Sequence, residues 1–232
     1  MRSGRRLRAV GLDAGAVHLA AVGLVRLATD ECLGEGSGAR PGGVPGWVWQ
    51  MRAVAFADTW LAFAESTAPG MRVPAGAVVR SVVARAAELV LQARGEDAPA
   101  ALEWLGRQSA EARERARLED VAHAPEPAAL ALVWHGVQVV AGDGDHDDAA
   151  GDSHDRHIAE RCEVYVRERH RRQDTLALLL SCARIAAAAL VEVSDGDPAR
   201  AGRWLEEEAA RCMLHSGPVP LWVPGRPGHP AD

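Results

Sequence analysis

Six aspartates and three histidines crowd into one short stretch of this 232-residue chain, and their types are the first to invite chemistry. The run Asp143-Gly144-Asp145-His146-Asp147-Asp148 opens like a calcium loop, with acids at the first, third and fifth positions. It then departs from that pattern. The sixth position is Asp148 where such loops turn on glycine, and the twelfth is His154 where they close on glutamate. Together Asp143, Asp145, Asp147, His154 and His157 form a donor set that suits a transition metal, with the two histidines sharing a face if helical. The competing reading is a solvated acidic loop, because an Asp/Gly/His run buries little apolar surface. The expectation is a chain without a cofactor, this loop being its weak metal candidate.

A second charged stretch follows. Arg167, Arg169, His170, Arg171 and Arg172 make a basic cluster, yet no aromatic platform interleaves, since Tyr165 is the only tyrosine. Exposure, or pairing with the acidic loop, explains it better than nucleic acid. Other chemistries are excluded outright. The chain has no lysine, so a Gly-x-x-x-x-Gly-Lys phosphate loop cannot exist in its usual form. Gly-x-Ser-x-Gly and His-Glu-x-x-His are absent as well. Cys32, Cys162, Cys182 and Cys212 lie too far apart for a zinc ribbon and too sparsely for a disulfide framework.

The elements that must position these residues read as helices. With 48% apolar and 25% charged residues the composition is that of a globular protein. All 26 cations are arginine and asparagine is missing, a bias that implies a GC-rich bacterial genome. The net charge of −6 is local: setting aside the six aspartates of the loop leaves 26 acids against 26 arginines. No global field steers a polyanion toward this surface or away from it.

Trp49, Ala53, Phe56, Trp60 and Phe63 recur at helical spacing and predict a core-facing stripe. A further helix begins near Pro74, with Ser81, Arg85, Glu88 and Gln92 as its polar face and Val79, Val82, Ala86, Leu89 and Ala93 opposite. Leu132 to Val140 reads as helix or strand. Thr175 to Val193 predicts a buried central helix; Arg184 near its middle costs ~2.5–3.5 kcal/mol in a bilayer, which argues against a membrane span. The expected organisation is an N-terminal apolar segment 1–33, a Gly/Pro linker 34–46, a helical domain 47–215 carrying the acidic loop 142–155, and a Pro-rich tail 216–232.

One regularity crosses these boundaries. Ser81, Ala86, Ala87, Asp97, Ala101, Trp104, Leu105 and Ala110 recur 100 residues later as Ser181, Ala186, Ala187, Asp197, Ala201, Trp204, Leu205 and Ala210. An Asp cap followed seven residues on by Trp-Leu predicts two helical hairpins of equal geometry, stacked because neither buries its face alone.

Against this all-α reading stands a resemblance. Ala9-Val10-Gly11-Leu12-Asp13-Ala14-Gly15, followed by Val17 to Val25, can be read as a two-stranded hairpin with an acid ending its first strand. That opening resembles RuvC-type, RNase H-like nucleases, and is similar to the first phosphate loop of actin-like kinases. Asp174-Thr175-Leu176-Ala177-Leu178 resembles the segment that starts the last helix of the RuvC-like group. The resemblance implies Asp13, Glu103 and Asp174 as ligands of a divalent metal, two cations ~3.5–4 Å apart across a scissile phosphate. Glu103, however, follows a helix start containing Pro99 and belongs to the hairpin repeat.

The reading that follows is an all-α bundle of about six helices in two stacked hairpin halves. It is a non-enzymatic interaction or regulatory protein of the cytoplasm, meeting a protein partner or a second copy of itself rather than nucleic acid or membrane. The nuclease is the alternative.

Overall fold

A computed structural model describes residues 3–36, 46–66, 75–120, 124–142, 160 and 172–215. Seven helices pack together among these residues, and none of the described residues is in a strand. They are α1 (Ser3–Gly36), α2 (Gly46–Ser66), α3 (Ala75–Ala93), α4 (Ala98–Leu118), α5 (Pro125–Gly142), α6 (Arg172–Val193) and α7 (Pro198–His215). The all-α expectation holds, with seven helices where about six were counted.

At the centre lie α3 and α6, the most extensively packed pair, side by side with starts near starts and ends near ends. Val78, Val82 and Leu179 line one small hollow near their beginnings, and Arg94 reaches Glu192 at 2.7 Å at their ends. Small side chains recur along both: Ala86 and Ala87 on α3, Ala183, Ala186 and Ala187 on α6, all fully buried. The expectation for Thr175 to Val193 is met. Arg184, Ala188 and Glu192, one turn apart, are its exposed stripe.

The 100-residue repeat is visible in the backbone. At the end of α3, Glu96 N–H donates to the Leu91 carbonyl and Gly95 N–H to that of Gln92. At the end of α6, Gly196 N–H donates to Val191 and Asp195 N–H to Glu192, the same pair of bonds. These are Schellman closures. Each turn then places an Asp at the next helix start. Asp97 accepts from Ala100 N–H at 3.0 Å because Pro99, at the position before, has none to offer; Asp197 accepts from Ala199 at 2.8 Å.

The correspondence extends to packing. Exchanging α1, α3 and α4 with α5, α6 and α7 carries every contact among these six helices onto another: α4·α5 onto α7·α1, α3·α5 onto α6·α1, α1·α3 onto α5·α6. Each half's last helix thus lies on the other half's first.

One alternative reading needs correction. Ala9 to Val25 is helix throughout, part of α1, and not a two-stranded hairpin. From Val17 to Ala28 that helix buries Val17, Ala21, Leu24, Val25 and Ala28, so it belongs to the core of the body. Gly23 lets the Phe56 ring of α2 approach: a Cβ there would meet Phe56 Cζ at 2.8 Å. Leu132 to Val140, readable either way, is helix. Of the aromatic stripe, Ala53 is buried, Phe56 packs against the core and Trp60 is half-buried; the Trp49 and Phe63 side chains lie outside the described ones.

Glycines separate crowded from open positions. A Cβ at Gly136 would sit 2.9 Å from Ala87 Cβ and 3.3 Å from Val83 Cγ1, whereas at Gly202 it would meet nothing within 4 Å. Gly136→Ala is expected to cost ~1–3 kcal/mol through overpacking of α5 on α3. Gly202→Ala should instead stabilise by up to ~1 kcal/mol through helix propensity. Denaturant midpoints at unchanged slope check both.

A buried ion cluster as the candidate functional site

Chemistry-bearing side chains meet where α1, α3 and α7 come together. His18 of α1 lies with its Nδ1 2.7 Å from Ser81 Oγ of α3. One turn further along α3, Arg85 pairs with Glu88 at 2.8 Å and, across the gap, with Glu208 of α7. Arg211 of α7 lies 2.9 Å from the other Glu208 oxygen, close enough for ion pairing but not aligned for a hydrogen bond. Glu208 is almost wholly buried, its side chain 3% exposed, and Arg85 is 16% exposed.

The local sequence explains how these groups turn inward. Ala201, Leu205, Glu208 and Cys212 recur at 4, 3 and 4 residues, so Glu208 falls on the apolar stripe of α7 while Glu206 and Glu207 face solvent. On α3 the expected polar face is largely covered: Ser81 is 3% exposed, Arg85 and Glu88 are half-buried, and Gln92 alone is open to water. A helix packed on five neighbours has no free side, so its polar residues must find partners inside.

Burial lowers the His18 pKa from its ordinary 6.5, and the Arg85 and Arg80 guanidiniums lower it further while Glu208 opposes them. Glu88 moves the other way. Burial raises its carboxyl, with Arg85 opposing and Glu208 adding to the rise. The Cys212 thiol is pushed up by burial first and by Glu208 next. A serine hydroxyl on an imidazole is the start of a nucleophile pair. Here Ser81 is closed to solvent and its arginine neighbours disfavour the imidazolium that a base must become, so the geometry is that of a structural contact.

The three acids of the nuclease resemblance are not brought together. Asp13 lies within α1 and Asp174 in the first turn of α6. Glu103 is exposed on α4, 3.2 Å from Arg107, and α4 touches neither α1 nor α6 among the described residues. The RNase H-like sheet that would gather them has no strand among the described residues. Asp143, Asp145, Asp147, His154 and His157 lie outside the described residues, as do the linker from 37 to 45, the basic cluster from 161 to 171 and the tail beyond 215. Among the described residues no group of three His, Cys, Asp or Glu side chains is placed to hold a metal ion.

The α6 stretch Gln173–Val193 is long and apolar enough to cross a membrane by length and composition, and half of it is buried inside the bundle. No family model, curated protein or solved structure matches the chain.

Removing one partner of a buried pair leaves the other uncompensated. Glu208→Ala is expected to destabilise by ~3–5 kcal/mol, while Glu103→Ala, which breaks an exposed pair, should cost less than ~1 kcal/mol. Thermal or urea unfolding distinguishes them. His18 holds its proton more weakly folded than unfolded, so its contribution to stability is full above pH 6.5 and is lost as pH falls below that value toward its folded pKa. Glu88, with a raised pKa, contributes stability that is full below its ordinary 4.5 and lost as pH rises through its folded value. The stability difference between wild type and His18→Gln should therefore narrow between pH 7 and 5; a constant difference in urea midpoints would refute this.

Proposed function

We propose that the chain is a non-enzymatic interaction or regulatory protein of the cytoplasm, whose outward helix faces meet a protein partner. The observation that carries the reading is on α2. Met51 is 63% exposed and Val54, one turn on, is 37% exposed, while Ala53, Ala57 and Leu61 of the same helix are buried. The helix therefore has an inner apolar face that the core uses and an outer one that it does not. Methionine is unbranched and polarizable, suited to surfaces that adapt to a partner. Arg52 and Asp58 are exposed beside the pair, giving the apolar spot a charged rim.

Elsewhere on the described surface several charges pair with one another: Arg94 with Glu192, Arg115 with Glu126, Arg117 with Glu114, Arg184 with Glu31. The hollow between α1, α2, α3 and α6 is lined by apolar residues, Phe56, Trp60 and Leu179 among them.

The test is affinity capture from a lysate of the source bacterium with the full chain and with a Met51→Asp, Val54→Asp variant of unchanged helical circular dichroism. A protein retained by the wild type and lost by the variant is expected. Capture of the same proteins by both, or of none by either, would overturn the reading.

A further inference from the structure

The internal repeat supplies its own control for the buried ion cluster. Where α3 carries Arg85 and Glu88, α6 carries Ile185 and Ala188 at the corresponding positions. Where α7 turns the charged Glu208 inward, α4 has neutral Gln108, which reaches Glu111 at 3.4 Å just as Glu208 lies beside Arg211. The two halves match in helix packing, yet in one a buried ion pair joins the last helix to a central helix, while in the other Gln108 bonds at the surface, Ala188 is exposed and α4 does not touch α6 among the described residues. The second half builds the same helix arrangement without a buried ion pair at these positions.

Ions and hydrocarbon differ in what undocking costs. An apolar seat exposed to water loses its burial free energy in full. A seat of charges recovers the solvation that docking removed, so the docked state gains less. One further observation adds to this. Helix α7 rests on α1 less extensively than α4 rests on α5, and His18 of α1 faces the same cluster.

We infer that α7 is a releasable helix, its seat on α1 and its ion pair to Arg85 of α3 being the built-in point of opening, while its counterpart α4 stays fixed on α5. Release pivots at the turn Ser194 to Asp197, where Asp195 and Gly196 are already in the left-handed region at φ 54° and 70°. It uncovers Ala201, Leu205 and Cys212 of α7, all buried when docked. The inference stands apart from the α2 reading, since it concerns another face and another kind of observation.

Native-state hydrogen exchange on the full chain tests it without any substitution. Amides from 205 to 212 are expected to exchange at least ~10-fold faster than their counterparts from 105 to 112, a factor that corresponds to ~1.4 kcal/mol in opening free energy. Equal protection in the two helices, or slower exchange in α7, overturns the inference. A variant that copies the neutral seat, Arg85→Ile, Glu88→Ala and Glu208→Gln, should raise α7 protection toward that of α4 and leave α4 unchanged. A folded variant with unaltered α7 exchange would also overturn it. If the variant does not fold, the fold needs the ions after all, and the inference falls on that ground.

Discussion

Everything in this bundle depends on how closely α3 and α6 approach. Two helices in the centre of seven can each serve several neighbours only if their own contact takes little room, and alanine provides that room. Ala86, Ala87, Ala183, Ala186 and Ala187 are all fully buried, and Gly136 brings α5 against Ala87 and Val83 where even a methyl would collide. Interiors are packed like molecular crystals, so space saved on one side of a helix becomes contact on the other. In a GC-rich composition alanine is abundant everywhere. What marks these alanines is that they lie fully buried beside larger residues such as Val79, Val82, Leu89 and Leu190 in one core cluster.

The sequence made the hairpins legible because their signals are local. An acidic cap, a proline in the first turn and a Trp-Leu pair seven residues on are all read within a dozen positions, and the structure repeats them at 97 and 197. The correspondence of α1 with α5 was invisible. It exists in packing and not in residue identity, and the connections preceding α3 and α6 differ in length. The alternative hairpin in the first third arose for a related reason. Gly11, Gly15 and Gly23 punctuate a run of Val, Leu and Ala, and glycine with β-branched neighbours suggests strand and turn when only the local chain is seen. Gly23 is instead a concession to the Phe56 ring.

The ion cluster shows the same limit from the other side. Ser81, Arg85, Glu88 and Gln92 at helical spacing read as a solvated face, and periodicity alone has no means to report that two further helices cover it. A better signal lay on the partner: Glu208 interrupts the stripe of Ala201, Leu205 and Cys212, and a carboxylate on an apolar stripe announces a buried cation elsewhere. The acids suggested by resemblance had no such reciprocal mark. Glu103 sits beside Arg107 on an open surface, in the setting that the alternating Glu and Arg of α4 would supply for any member of the series.

The two turns that join the hairpins hold a last lesson. Each needs consecutive residues in the left-handed region, Gly95 and Glu96 in one, Asp195 and Gly196 in the other, and the glycine stands first in one and second in the other. Each copy therefore relieves a different half of the same steric load and tolerates the remainder on an acidic side chain. A backbone that keeps its shape while its glycine moves is dictated by the helices on either side. The loop behaves as a bracket cut to fit two fixed beams, and its letters are interchangeable so long as one of them has no side chain.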